Sequence, residues 1–201
     1  MRQAIAFDLD GTLIDISKRD YQIYVDLVIK LGGIPLPFLT YWPLRKAKTD
    51  IHQILSDSGI LRLDLVETFL LDRKALMETL EYLSVDNLFQ DVLQLLNRIS
   101  DTYEVHILTI RHNKTNTENQ LKLLGLDRYT CHIVDGNKEL TMRQIPNLCF
   151  MVGDTENDIL PANKIGIKSI GVTTGIRNRQ LLVKMNPTYI VDSLDEIDRF
   201  L

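Results

Sequence analysis

A chain of 201 residues is long enough for one or two domains with a sizeable buried core. Its 45% apolar and 25% charged residues match ordinary globular proteins and exclude a disordered, collagen-like or membrane-embedded polypeptide. With 23 basic against 27 acidic side chains, the formal charge of -4 offers no bulk attraction to nucleic acid or an anionic bilayer, so neither is expected as a partner.

The first element is the apolar run at residues 3–7, stopped by Asp8-Leu9-Asp10-Gly11, the pattern of a buried strand ending in a turn. Residues 17–84 then show apolar side chains at helical spacing (Tyr21, Tyr24, Val28; Ile51, Ile54, Leu55; Phe69, Leu76) and no strand pattern. Gly32-Gly33 and Pro35, Pro37 and Pro43 punctuate the first half, predicting a helix, an irregular stretch and further helices. A helix over 85–99 should lead back to strands at 104–108, 130–134, 148–152, 167–172 and 189–191, separated by helical segments that end with 194–201. Alternation of this kind predicts an α/β fold, a doubly wound parallel sheet of Rossmann-like character. The expected domains are a core of residues 1–16 and 85–201 and an all-helical cap over 17–84. Cys131 and Cys149 lie in apolar runs and are expected as buried thiols of a reducing compartment, not as a disulfide framework. The opening MRQAIAFDLD has no long apolar run, and a cytoplasmic protein is expected.

Carboxyl ends of parallel strands form a ligand crevice, so Asp8 and Asp10 should face one pocket. Oxygen donors there suit a hard cation such as Mg2+, one carboxylate can attack phosphorus, and another can protonate a leaving oxygen. Asp154 and Asp158 form a second acidic pair after another strand, where spacing of four brings both to one face of a helical turn. Thr155 with Asp158 also has the form of an N-terminal capping box, an alternative role for the same acid. Thr109 ends the strand at 104–108, where a hydroxyl can hold a phosphoryl oxygen or cap a helix. Lys138 follows the strand at 130–134, where an ammonium can neutralise a carboxylate and a phosphoryl group. Tyr41, Trp42, Arg45, Lys46 and Lys48 form an aromatic and basic cluster in the insert, and Arg111 and His112 follow Thr109. Of these, Arg45, Lys46 and Arg111 are candidate substrate-binding cations. His52, His106 and His132 lack metal-ligand spacing.

Taken together, Asp8-Leu9-Asp10-Gly11-Thr12, Thr109, Lys138 and Gly153-Asp154 to Asp158 resemble, in order and spacing, the haloacid dehalogenase superfamily, over residues 1–16 and 85–192. The insert resembles the family's first type of cap in position and helical character. The resemblance implies Asp8 as a nucleophile forming an aspartyl-phosphate, Asp10 as acid and then base, and Thr109 and Lys138 as phosphoryl ligands. It implies Mg2+ on Asp8, the Asp10 carbonyl and Asp154, with Asp158 in support. An acid two residues after the nucleophile favours phosphate esters over dehalogenation. Thr109 departs from the family in being followed by Ile110-Arg111 where Asn is frequent. The implied function is hydrolysis of a small phosphorylated metabolite. A phosphomutase using the same site, or a non-catalytic binding protein of this fold, are the alternatives.

Overall fold

A computed structural model describes residues 2–201. In chain order its elements are β1 (Gln3–Phe7), β2 (Ile14–Asp15), α1 (Ser17–Lys30), α2 (Phe38–Lys46), α3 (Ile51–Asp57), α4 (Leu63–Leu76), α5 (Leu80–Leu83), β3 (Asn87–Leu88) and α6 (Val92–Ile99). They continue with β4 (Tyr103–Ile110), α7 (Lys114–Leu123), β5 (Thr130–Val134), α8 (Lys138–Gln144), β6 (Leu148–Gly153), α9 (Glu156–Ile165), β7 (Lys168–Val172), α10 (Arg179–Lys184), β8 (Tyr189–Val191) and a 3-10 turn at Leu194–Arg199. Two compact units emerge, Met1–Asp15 with Asn87–Leu201, and Ile16–Asp86.

The first unit is built on a six-stranded sheet in the order β5-β4-β1-β6-β7-β8. Every adjacent pair runs parallel, so all strand carboxyl ends share one edge. The chain steps from β1 outward to β4 and β5, then returns to β6 on the other side of β1, which puts the topological switch between β1 and β6. The central strand is apolar throughout because both faces are covered: Ala4, Ile5, Ala6 and Phe7 are fully buried. Helix α6 shows the complementary pattern, burying Val92, Leu95, Leu96 and Ile99 at i, i+3, i+4, i+7.

Local differences from the sequence pattern have physical reasons. Helix α6 starts at Val92 and not at 85, because Asp91 takes a left-handed backbone (φ 60°) and the preceding Asn87–Leu88 pairs antiparallel with Ile14–Asp15. Strand β5 lies at the sheet edge, so Cys131 is half-buried where a buried thiol was expected, and Cys149 is half-buried too. Burial still pushes the Cys131 thiol up to about 11, which leaves it unreactive. The segment after β8 closes as a 3-10 turn, not an α-helix. Pro161 lies within α9, which continues through it to Ile165.

The second unit is all-helical, α1 to α5. Its core gathers Ile23, Tyr24, Leu27, Val28, Tyr41, Ile54, Leu55, Val66 and Phe69, with Tyr24 and Tyr41 stacked at 4.0 Å between ring centroids. Beside them sits the buried carboxylate of Asp20, which accepts bonds from Tyr41, Arg45 and Arg73. Burial opposes its ionisation, but the Arg73 and Arg45 charges outweigh that and hold the carboxyl well below the usual range.

Candidate active site and metal centre

Parallel strand polarity places Asp8 after β1 and Asp154 after β6, on the two strands that flank the switch point. Asp8, Asp154 and Asp158 are all buried, and one oxygen of each lies within 4.8 Å of the others. Lys138, the first residue of α8, reaches into this cluster with Nζ 2.5 Å from Asp8 Oδ1 and 2.6 Å from Asp158 Oδ1. The ammonium is itself buried, and the Asp158 and Asp8 charges raise its pKa against the opposing effect of burial. The helix it opens is short, only 7 residues, and its first residue lies just after β5.

Asp158 is engaged through both of its oxygens. Its Oδ2 accepts the Thr155 amide (3.0 Å) and hydroxyl (2.7 Å), closing the capping box of α9, while Oδ1 takes the lysine. Asp154 is fixed through both oxygens: Thr12 Oγ1 donates to Oδ1 at 3.3 Å and the Ile176 amide donates to Oδ2 at 2.6 Å. Space around it is reserved for backbone. A Cβ on Gly11, which also has φ +85°, would lie 2.5 Å from Asp154 Oδ2, and one on Gly175 would collide with the same carboxylate.

Three carboxylates against one ammonium leave an excess of two negative charges in a buried site. The protein alone relieves it by protonation: burial pushes Asp8 up to about 7, and burial with the Asp8 and Asp158 charges raises Asp154 well above the carboxylate range. An all-oxygen set with this charge fits a hard divalent cation.

Asp10 stands apart from the cluster. Its carboxylate is held by Arg111 through two bonds, Nε to Oδ2 at 2.6 Å and Nη2 to Oδ1 at 2.7 Å, and Arg111 Nη2 also donates to Gln120 Oε1 at 3.1 Å. Arg111, expected as a substrate-binding cation, is buried in this contact with Asp10; the fork of a guanidinium matches a carboxylate bidentately. Thr109 is buried at the penultimate position of β4, and exposed His112 faces Asp135 at 3.3 Å. Arg45, expected to bind substrate, instead engages Asp20 inside the helical unit; Tyr41 does the same, and Trp42 stacks on Phe38. Lys46 closes α2. Residues 173–177 also reach this site, and a Thr-Thr-Gly string directly after a strand is a usable sequence signal for a loop at this edge.

Comparison with known proteins agrees with this geometry. The HAD-hydrolase-like family model matches residues 125–197. The phosphoglycolate phosphatase of Colwellia psychrerythraea is 27% identical, covering 98% of this chain and 95% of its own. A haloacid dehalogenase-like hydrolase from Streptococcus pneumoniae superposes with a TM-score of 0.74 at 22% identity, covering 100% of this chain and 99% of that one. These similarities support a phosphatase of the haloacid dehalogenase superfamily. The phosphoglycolate phosphatase of Neisseria meningitidis serogroup A is 29% identical over 97% of this chain and 92% of its own. Among the described residues, no helix is long and apolar enough to cross a membrane.

Proposed function

We propose that this protein hydrolyses a small phosphate ester in a Mg2+-dependent reaction through an aspartyl-phosphate on Asp8. The observation that carries the reading is the buried set Asp8, Asp154 and Asp158 around Lys138 at the switch point of the sheet. An Asp8 oxygen attacks phosphorus in line while the ester P–O bond breaks, and Asp10 gives its proton to the departing oxygen. Asp10 then takes a proton from water as that water attacks the phosphorus, which releases inorganic phosphate and regenerates Asp8. Lys138 and the Thr109 hydroxyl hold the phosphoryl oxygens, and Lys138 also keeps Asp8 ionised and oriented. Arg111 fixes Asp10 for its two proton transfers. Held by Asp8, Asp154 and the Asp10 backbone carbonyl with Asp158 in support, Mg2+ would neutralise charge developing on the phosphoryl group.

Relatives called phosphoglycolate phosphatase support a substrate that is a small phosphorylated acid. The free, half-buried thiols of Cys131 and Cys149 support a reducing, cytoplasmic setting. The test is phosphate release from phosphoglycolate, sugar phosphates and an aryl phosphate, with and without Mg2+. We expect Asp8→Asn to lose activity by more than about 10^3-fold; a variant that keeps full turnover removes Asp8 from its role. In water enriched in heavy oxygen, hydrolysis puts one solvent oxygen into each phosphate released. Isomerised substrate without free phosphate would mark a mutase instead.

A further inference from the structure

The loop after β7 contributes to the carboxylate site with no acidic ligand of its own, and three contacts bind it there. Thr174 Oγ1 donates to the Gly11 carbonyl at 3.2 Å, tying it to the β1 turn. The Ile176 amide donates to Asp154 Oδ2 at 2.6 Å. Arg177 then forks onto Glu156, Nε to Oε2 at 2.8 Å and Nη2 to Oε1 at 3.0 Å, while its Nη1 donates back to the Ile176 carbonyl at 3.1 Å. Glu156 is the first residue of α9, two positions from both Asp154 and Asp158. One guanidinium thus joins the Ile176 peptide to the helix whose first turn carries the acids.

We infer that the Arg177–Glu156 ion pair is a latch that positions Asp154 for a divalent cation, by keeping the Ile176 amide on its carboxylate; this rests on the cation reading of the site proposed above. The physical case is one of competing freedom. Gly175 has to be a glycine because any Cβ would strike the Asp154 carboxylate, and glycine is the residue that loses most conformational freedom on ordering. A loop containing it needs an anchor on its far side. The ion pair supplies one, with side chains only 11% and 24% exposed and a bidentate geometry that fixes direction as well as distance. Without the latch, Asp154 keeps the single 3.3 Å bond from Thr12 and its carboxylate is free to rotate away from Asp8 and Asp158. Groups that orient a metal ligand from behind set affinity even though they never touch the ion.

The experiment titrates Mg2+ into chelator-treated protein and follows the rise in unfolding temperature, with calorimetric titration of Mg2+ alone as a second readout. Arg177→Met and, separately, the isosteric Glu156→Gln are expected to raise the Mg2+ midpoint about tenfold. The charge-swapped pair Glu156→Arg with Arg177→Glu should bring it back toward wild type, which general loosening of the fold would not do. Arg179→Met, which breaks the exposed Arg179–Asp192 pair at 2.8 Å in the same stretch, should leave the midpoint in place. If the wild type responds to Mg2+ and both latch variants respond at the same concentration, the latch is overturned while the cation site stands. A wild type with no response to Mg2+ overturns the cation reading and the latch together.

Discussion

Replacing Lys138 by methionine keeps most of its volume and removes the one positive charge inside a cluster of three buried carboxylates. At 2.5 and 2.6 Å the two ion pairs are each worth about 6 kcal/mol of attraction at an effective dielectric of 20, most of it offset by the cost of dehydrating the groups. Removing one partner leaves that dehydration uncompensated, and the expected loss is about 3–5 kcal/mol. This is a large share of the roughly 5–15 kcal/mol that holds a domain together. The penalty is pH-dependent with a definite sign. Burial has already raised Asp8 to about 7, so between its unfolded value of 3.8 and about 7 the folded protein binds more protons than the unfolded chain. That contribution is fully present below the unfolded value and is lost as the pH rises through about 7. Removal of Lys138 favours the proton further. Urea unfolding in chelator at pH 8 and pH 5.5 should therefore show the full loss at pH 8 and less than half of it at pH 5.5. An equal difference at both pH values, or under about 1 kcal/mol at pH 8, refutes the account of the cluster as charge-balanced by this lysine.

Asp10 and Arg111 should be energetically coupled: a cycle of Asp10→Asn, Arg111→Met and the double variant is expected to give about 2 kcal/mol by denaturant unfolding, and additive effects would break the assignment. The helical unit should be acid-labile through Asp20. Its depressed pKa contributes stability above the usual carboxylate range that is lost as the pH falls below about 4, so wild type should lose helicity there, measured by circular dichroism. Asp20→Asn should be less stable than wild type at pH 7 and should show a flatter acid transition; an unchanged profile would remove Asp20 as the source.

What could be read from the sequence was whatever local pattern determines. Period and strand ends suffice to put Asp8 and Asp154 at the carboxyl ends of two parallel strands, and the Thr155–Asp158 spacing announces a helix start. Two-residue strands carry no period, which is why β2 and β3 are invisible in the sequence and the helical pattern runs on before the start of α6. The cations were harder, because a lysine or arginine looks the same locally whether it is solvated or buried. Lys138 was placed by its order among the family's loops, whereas Arg111 meets Asp10 across 101 positions and Arg45 meets Asp20 across 25, pairings that only the folded chain creates. The Arg177–Glu156 contact spans 21 positions and was missed for the same reason.

The short ribbon of β2 and β3 sets Ile14 opposite Leu88 and Asp15 opposite Asn87. Departure and return of the inserted segment are thereby adjacent, separated by no more than the roughly 5 Å of a paired strand. Any sequence whose own ends meet at that spacing can be spliced there without disturbing strand order or register. Such a joint lets evolution, or an engineer, exchange the inserted segment while the six-stranded sheet keeps its strand order.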